Sequence, residues 1–144
     1  MKKIMLLVAG FLTLTTAAMA GNDKPIRLNE LPNAAQQFVS THFGGRQVAY
    51  TTVDTERPKT YEVAFRSGEK IEFDRRGEWK EIKSLRGTLP PHVIPEAILR
   101  QIVRNYPGTR ITSIERDRHE YEVGLTNGME LTFDKEFRLI DMDR

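Results

Sequence analysis

Apolar residues recur along this chain in two periods, and each period appears twice. Ala34, Ala35, Phe38, Val39 and His42 or Phe43 follow helical spacing, as do Ala97, Ile98, Ile102, Val103 and Tyr106. Residues three or four apart share one face of a helix, so each run predicts a helix with one apolar stripe. Leu31-Pro32 and Ile94-Pro95 open the runs and put proline in the first turn, where its missing N–H leaves no helical bond unmade. Gly44-Gly45 and Pro107-Gly108 close them. The period then falls to two. Residues 47–53 and 110–116 are first-strand candidates, and Tyr61, Val63 and Phe65 alternate with Glu62, Ala64 and Arg66. Such alternation predicts a strand with one buried face. Ser67-Gly68 and Asn127-Gly128 mark hairpin turns, after which Ile71 and Phe73, and again Leu131 and Phe133, continue the apolar face. Asp74-Arg75-Arg76-Gly77 has the aspartate and glycine of a type I turn. A last strand is expected near residues 78–83 and again near 138–142.

The two series are copies of one pattern. Tyr61-Glu62-Val63 recurs as Tyr121-Glu122-Val123, Gly68 as Gly128, and Phe73-Asp74 as Phe133-Asp134, all at an offset of 60. Upstream the offset is 63, with Pro32 matching Pro95, Ala34 matching Ala97 and Gly45 matching Gly108. The difference is expected in the first hairpin, where Thr55 to Lys59 has a shorter counterpart near Asp117-Arg118. The predicted fold is α+β: two tandem repeats over residues 21–86 and 87–144, each one helix followed by about four antiparallel strands. The helices are expected on one face of a twisted antiparallel sheet. If the repeats join edge to edge, two exposed strand edges disappear.

The N-terminus belongs to neither repeat. A basic start at Lys2-Lys3, an apolar run from Ile4 to Leu14 and a small-x-small site at Ala18-Met19-Ala20 form a secretory leader over residues 1–20. The apolar run is shorter than the roughly 20 residues of a membrane span, so no stable membrane insertion is expected after cleavage. The leader also changes the charge. Without Lys2 and Lys3 the basic residues fall from 22 to 20, equal to the 20 acidic ones, and the formal net charge of +2 becomes 0. A neutral chain without blocks of like charge points to neither nucleic acid nor an anionic membrane. The chain has no cysteine, which excludes a disulfide framework, a thiol nucleophile and thiolate metal ligands.

Catalytic chemistry needs a cluster, and the sequence offers none. His42, His92 and His119 fall in a helix end, a linker and a hairpin, without metal-ligand spacing. Ser40, Ser67, Ser84 and Ser113 lack a nucleophile elbow. Asp74 and Asp134 are the one repeated carboxylate pair. Each opens a turn, where aspartate accepts local backbone N–H bonds, and equivalent surroundings do not suit an acid–base pair. No catalytic residue, metal ligand or cofactor is expected. The candidate binding residues lie on the polar strand face: Glu62, Arg66, Lys70 and Glu72, with Trp79. Taking Ile82 as inward, alternation turns Trp79 toward the open face or onto a helix end, where it is either a binding anchor or structural.

Taken together, Leu31-Pro32, Phe43, Tyr61-Glu62-Val63, Gly68, Phe73-Asp74, Gly77 and Trp79 resemble the PepSY-like, beta-lactamase-inhibitor-like periplasmic family of Bacteroidetes. The second repeat departs from the pattern, with Phe137 in place of Gly77 and Leu139 in place of Trp79. The resemblance implies a fold similar to beta-lactamase inhibitor protein, a periplasmic or secreted location, and binding or inhibition of a secreted or envelope protein. The functional expectation is a non-enzymatic module that binds an unknown protein through the open sheet face. The alternative is a binder of a small envelope component, a peptide, glycan or lipid, in a pocket between sheet and helices.

Overall fold

The computed structural model describes residues 23–56 and 58–144, so the leader expected over residues 1–20 lies outside the described residues. After a short strand β1 (Asp23–Pro25), the chain forms helix α1 (Asn33–Phe43) and strands β2 (Val48–Asp54), β3 (Thr60–Phe65), β4 (Glu69–Asp74) and β5 (Trp79–Ser84). Helix α2 (Glu96–Asn105) and strands β6 (Ile111–Arg116), β7 (Glu120–Leu125), β8 (Glu130–Asp134) and β9 (Leu139–Asp143) follow. The nine strands make one sheet in sequence order, and every neighbouring pair is antiparallel.

The core follows from strand alternation. Val63, Ile71, Ile82, Ile114, Val123 and Leu131 are successive cross-strand partners on β3 to β8, and none has exposed surface. Each such burial is worth about 1.5–3 kcal/mol before chain entropy is counted. Ala35, Val39 and Phe43 of α1 and Ile98 and Ile102 of α2 belong to the same hydrophobic cluster. Phe43 stacks on Phe65 with centroids 5.0 Å apart, and Phe38 meets Phe73 edge-on at 6.0 Å. The helix runs begin where the sequence places them, with Pro32 and Pro95 at the cap position just before the first turn.

Four bulges break the alternation. They fall between Val48 and Tyr50, between Ile111 and Ser113, and opposite the Glu72/Phe73 and Thr132/Phe133 steps. The third corrects the expected orientation of Trp79. Glu72 pairs with Glu81 and Phe73 with Trp79, so Lys80 is an extra residue and the alternation slips by one. Trp79 therefore shares the face of Phe73 and Ile82, belongs to the core cluster, and is only 8% exposed. The sheet edges are blunted by Pro25 in the three-residue β1 and by Asp141 and Asp143 in β9.

Candidate functional site

The face opposite the core carries a row of acids. The registers set Thr52, Glu62, Glu72, Glu81, Glu115, Glu122, Thr132 and Asp141 side by side on eight successive strands, five of them glutamate on β3 to β7. The row crosses from β5 to β6 at Glu81 and Glu115. Like charges directly opposite in an antiparallel pair are destabilising, so the arrangement costs the fold free energy. Part of that cost is offset on one flank. Lys70 Nζ lies 3.1 Å from Glu62, Tyr50 Oη donates to Glu62 at 2.6 Å, and Lys83 Nζ is 4.0 Å from Glu81. Burial, followed by Glu81 among the carboxylates, pushes Glu72 above the usual range against the pull of Lys80.

Glu115 responds most. Burial first, then Glu81, Glu122, Glu72 and Asp117, raise its carboxyl from 4.5 to about 7. Because the folded chain holds this proton more tightly than the unfolded chain, the contribution of this carboxyl to stability is full below pH 4.5 and is lost as pH rises toward 7. The carboxyl is only half-buried and the residue keeps an exposed surface, so solvent screens the effect to about 1 kcal/mol. Urea unfolding at pH 5 and 7.5 checks this: Glu115→Gln should flatten the pH dependence and stabilise the neutral-pH protein. An unchanged dependence would place its source elsewhere.

Of the residues expected at the site, Glu62, Lys70 and Glu72 come together here. Arg66 lies beyond the end of β3, exposed at the Ser67-Gly68 turn, with its carbonyl accepting from Arg86. Trp79 is on the other face. Its carbonyl accepts from Arg116 Nε at 2.7 Å, and the Arg116 guanidinium sits 3.8 Å over its ring. Sequence reasoning missed Tyr50, Glu81 and Glu115. Their outward placement was implicit in strand alternation, but their adjacency depends on the β5–β6 pairing.

The repeated aspartates sit in turns. Asp74 Oδ1 accepts the backbone N–H groups of Arg76 and Glu78, and Asp134 Oδ1 those of Glu136 and Arg138. The bond from Arg138 leads the contacts that hold Asp134 below the usual carboxylate range. His42 and His92, fifty residues apart, meet with their Nδ1 atoms at 3.1 Å. Their centroids are 5.2 Å apart with planes at 16°, so the rings meet edge to edge and one must donate to the other. Burial and then His92 lower the His42 pKa. Among the described residues, no three histidine, aspartate or glutamate side chains are grouped to hold a metal ion.

The family model described as "Putative beta-lactamase-inhibitor-like, PepSY-like" matches residues 59–141. The chain belongs to this PepSY-like family. Three similar solved structures come from Bacteroides. A "putative periplasmic protein" of the DUF2874 family from Bacteroides vulgatus is 44% identical, with a TM-score of 0.82, covering 87% of this chain and 99% of that one. A "putative calcium-regulated periplasmic protein" from Bacteroides thetaiotaomicron is 42% identical, with a TM-score of 0.82, covering 85% and 97%. A second Bacteroides vulgatus protein, described as periplasmic and of unknown function, is 34% identical with a TM-score of 0.77, covering 85% and 99%. No curated protein matches the chain. The periplasmic location expected from the leader is that of these neighbours, and no helix among the described residues is long and apolar enough to cross a membrane.

Proposed function

We propose that the protein is a non-enzymatic periplasmic binding module that engages a protein partner through the open sheet face. The observation that carries this reading is the glutamate row. Five glutamates on adjacent strands disfavour folding, the contacts of Lys70, Tyr50 and Lys83 offset only part of that cost, and a local rule broken at such a cost points to a functional surface. A partner bearing lysine or arginine would relieve the repulsion on docking. In this reading the mature chain is two units, 21–86 and 87–144, each placing its helix on the core side and leaving the other face free. The recurrence of the Glu72/Phe73 bulge at Thr132/Phe133 supports the repeat.

The test is capture from a periplasmic and secreted-protein extract, read by mass spectrometry, with a Glu72→Lys/Glu81→Lys variant beside the wild type. One protein held by the wild type, and lost by about tenfold or more in the folded variant, is the expected result. Equal retention by both would remove the open face from the function. A second reading, a small envelope component bound in a pocket, is favoured by a hollow of about 510 Å³ beside α2, within the usual size range of ligand pockets.

A further inference from the structure

The hollow beside α2 has a natural control within the same molecule. A second hollow, of about 480 Å³, lies beside α1 and is lined by Gln36, Val39, Ser40 and Val48. Moving each of these by the helix offset of 63 gives Leu99, Ile102, Val103 and Ile111, and all four line the hollow beside α2. The two cavities therefore occupy corresponding places. Among these four, the walls differ in polarity at two helix positions: glutamine becomes Leu99, and serine becomes Val103. Val103 is 67% exposed, so it adds little to the core. The glutamine and serine beside α1 show that this position in the fold accepts polar side chains.

A second difference runs the same way. Arg110 lines the α2 hollow at the place held by Gln47 in the first unit. Arg46 also lines it, but its Nη1 lies 2.9 Å from the buried Glu69, so its charge is matched. Arg110 makes no ion pair among the described residues. Relative to its counterpart, whose wall includes Leu28, Phe43 and Val48, this cavity exchanges two polar helix side chains for apolar ones beside Leu89 and Pro90, and adds an unmatched guanidinium.

We propose that the hollow beside α2 binds a small anionic amphiphile. The apolar body lies against Leu99, Val103, Leu89 and Pro90, and a carboxylate or phosphate head pairs with Arg110, whose planar fork suits either group. The inference rests on the pocket reading above and is independent of the open face.

Isothermal titration of the purified protein with dodecanoate, dodecyl phosphate and dodecanol, each below its aggregation threshold, tests it. At least one of the anions should bind, with dodecanol about tenfold weaker; the tighter anion identifies the head group. Arg110→Glu should abolish the preference for the anion. Leu99→Gln/Val103→Ser, which gives the cavity the side chains of its counterpart, should lose binding while the melting temperature stays close to that of the wild type. Dodecanol binding as tightly as the anions overturns the anionic-head inference and leaves an apolar pocket. Anion binding that survives the double variant overturns the assigned site. No heat from any probe, with the protein folded, overturns both the inference and the pocket reading.

Discussion

Replacing Trp79 with alanine should lower the unfolding free energy by about 3–5 kcal/mol, the range for removing a large aromatic side chain from a packed core. The indole is 8% exposed, pairs across the sheet with Phe73 and carries the Arg116 guanidinium 3.8 Å over its ring. Truncation would open a cavity and strip Arg116 of its stacking surface. Burial already holds the Arg116 pKa below its ordinary value, and its nearest carboxylate oxygen, Glu78 Oε1, is 3.6 Å away. Trp79→Phe should cost less, because it keeps part of the ring packing. Urea unfolding followed by circular dichroism measures both. A loss under about 1 kcal/mol for alanine would put the indole outside the core. The prediction also bears on binding: partner capture by the folded fraction of Trp79→Phe should match the wild type, since the ring does not face the glutamate row.

That Trp79 turns inward was illegible in the sequence for a definable reason. Alternation carries orientation along a strand only while the pairing stays in register. The extra residue, Lys80, is set by how β4 meets β5, and no local pattern near residue 80 announces it. The helices and hairpins were legible because their signals are local: the apolar stripe of Ala35, Val39 and Phe43, and the positive φ that Gly68 and Gly128 supply at their turns. β1 was missed because Asp23, Lys24 and Pro25 carry no periodicity; the strand exists through its pairing with β2. The glutamate row and the His42–His92 contact were half-visible. Each residue could be assigned a polar position, but their proximity depends on pairings between segments far apart in sequence.

Gly77→Ala should destabilise the protein by about 2–4 kcal/mol, combining the cost of a left-handed backbone with that of overpacking. Gly77 has φ +88, and a Cβ built there would lie 2.8 Å from the Ala35 backbone nitrogen and 3.0 Å from Pro32 Cβ. The first turn of α1 thus rests directly on this turn, and the obstacle is backbone that cannot rotate aside. The turn 60 residues further along shows which part of the cost is local. Phe137 adopts φ 66 there, its ring lies 5.5 Å from Tyr121, and its carbonyl accepts from Gln101 of α2 at 2.7 Å. The turn itself therefore accommodates a side chain at positive φ, and the added cost at Gly77 comes from the close approach of α1. Phe137→Gly should consequently be mild, with relief of the positive φ offsetting part of the lost ring contact, whereas Gly77→Ala should be severe. Parallel urea titrations of the two variants compare them directly. A Gly77→Ala loss no larger than the Phe137→Gly loss would mean that α1 does not seat on the Asp74–Gly77 turn.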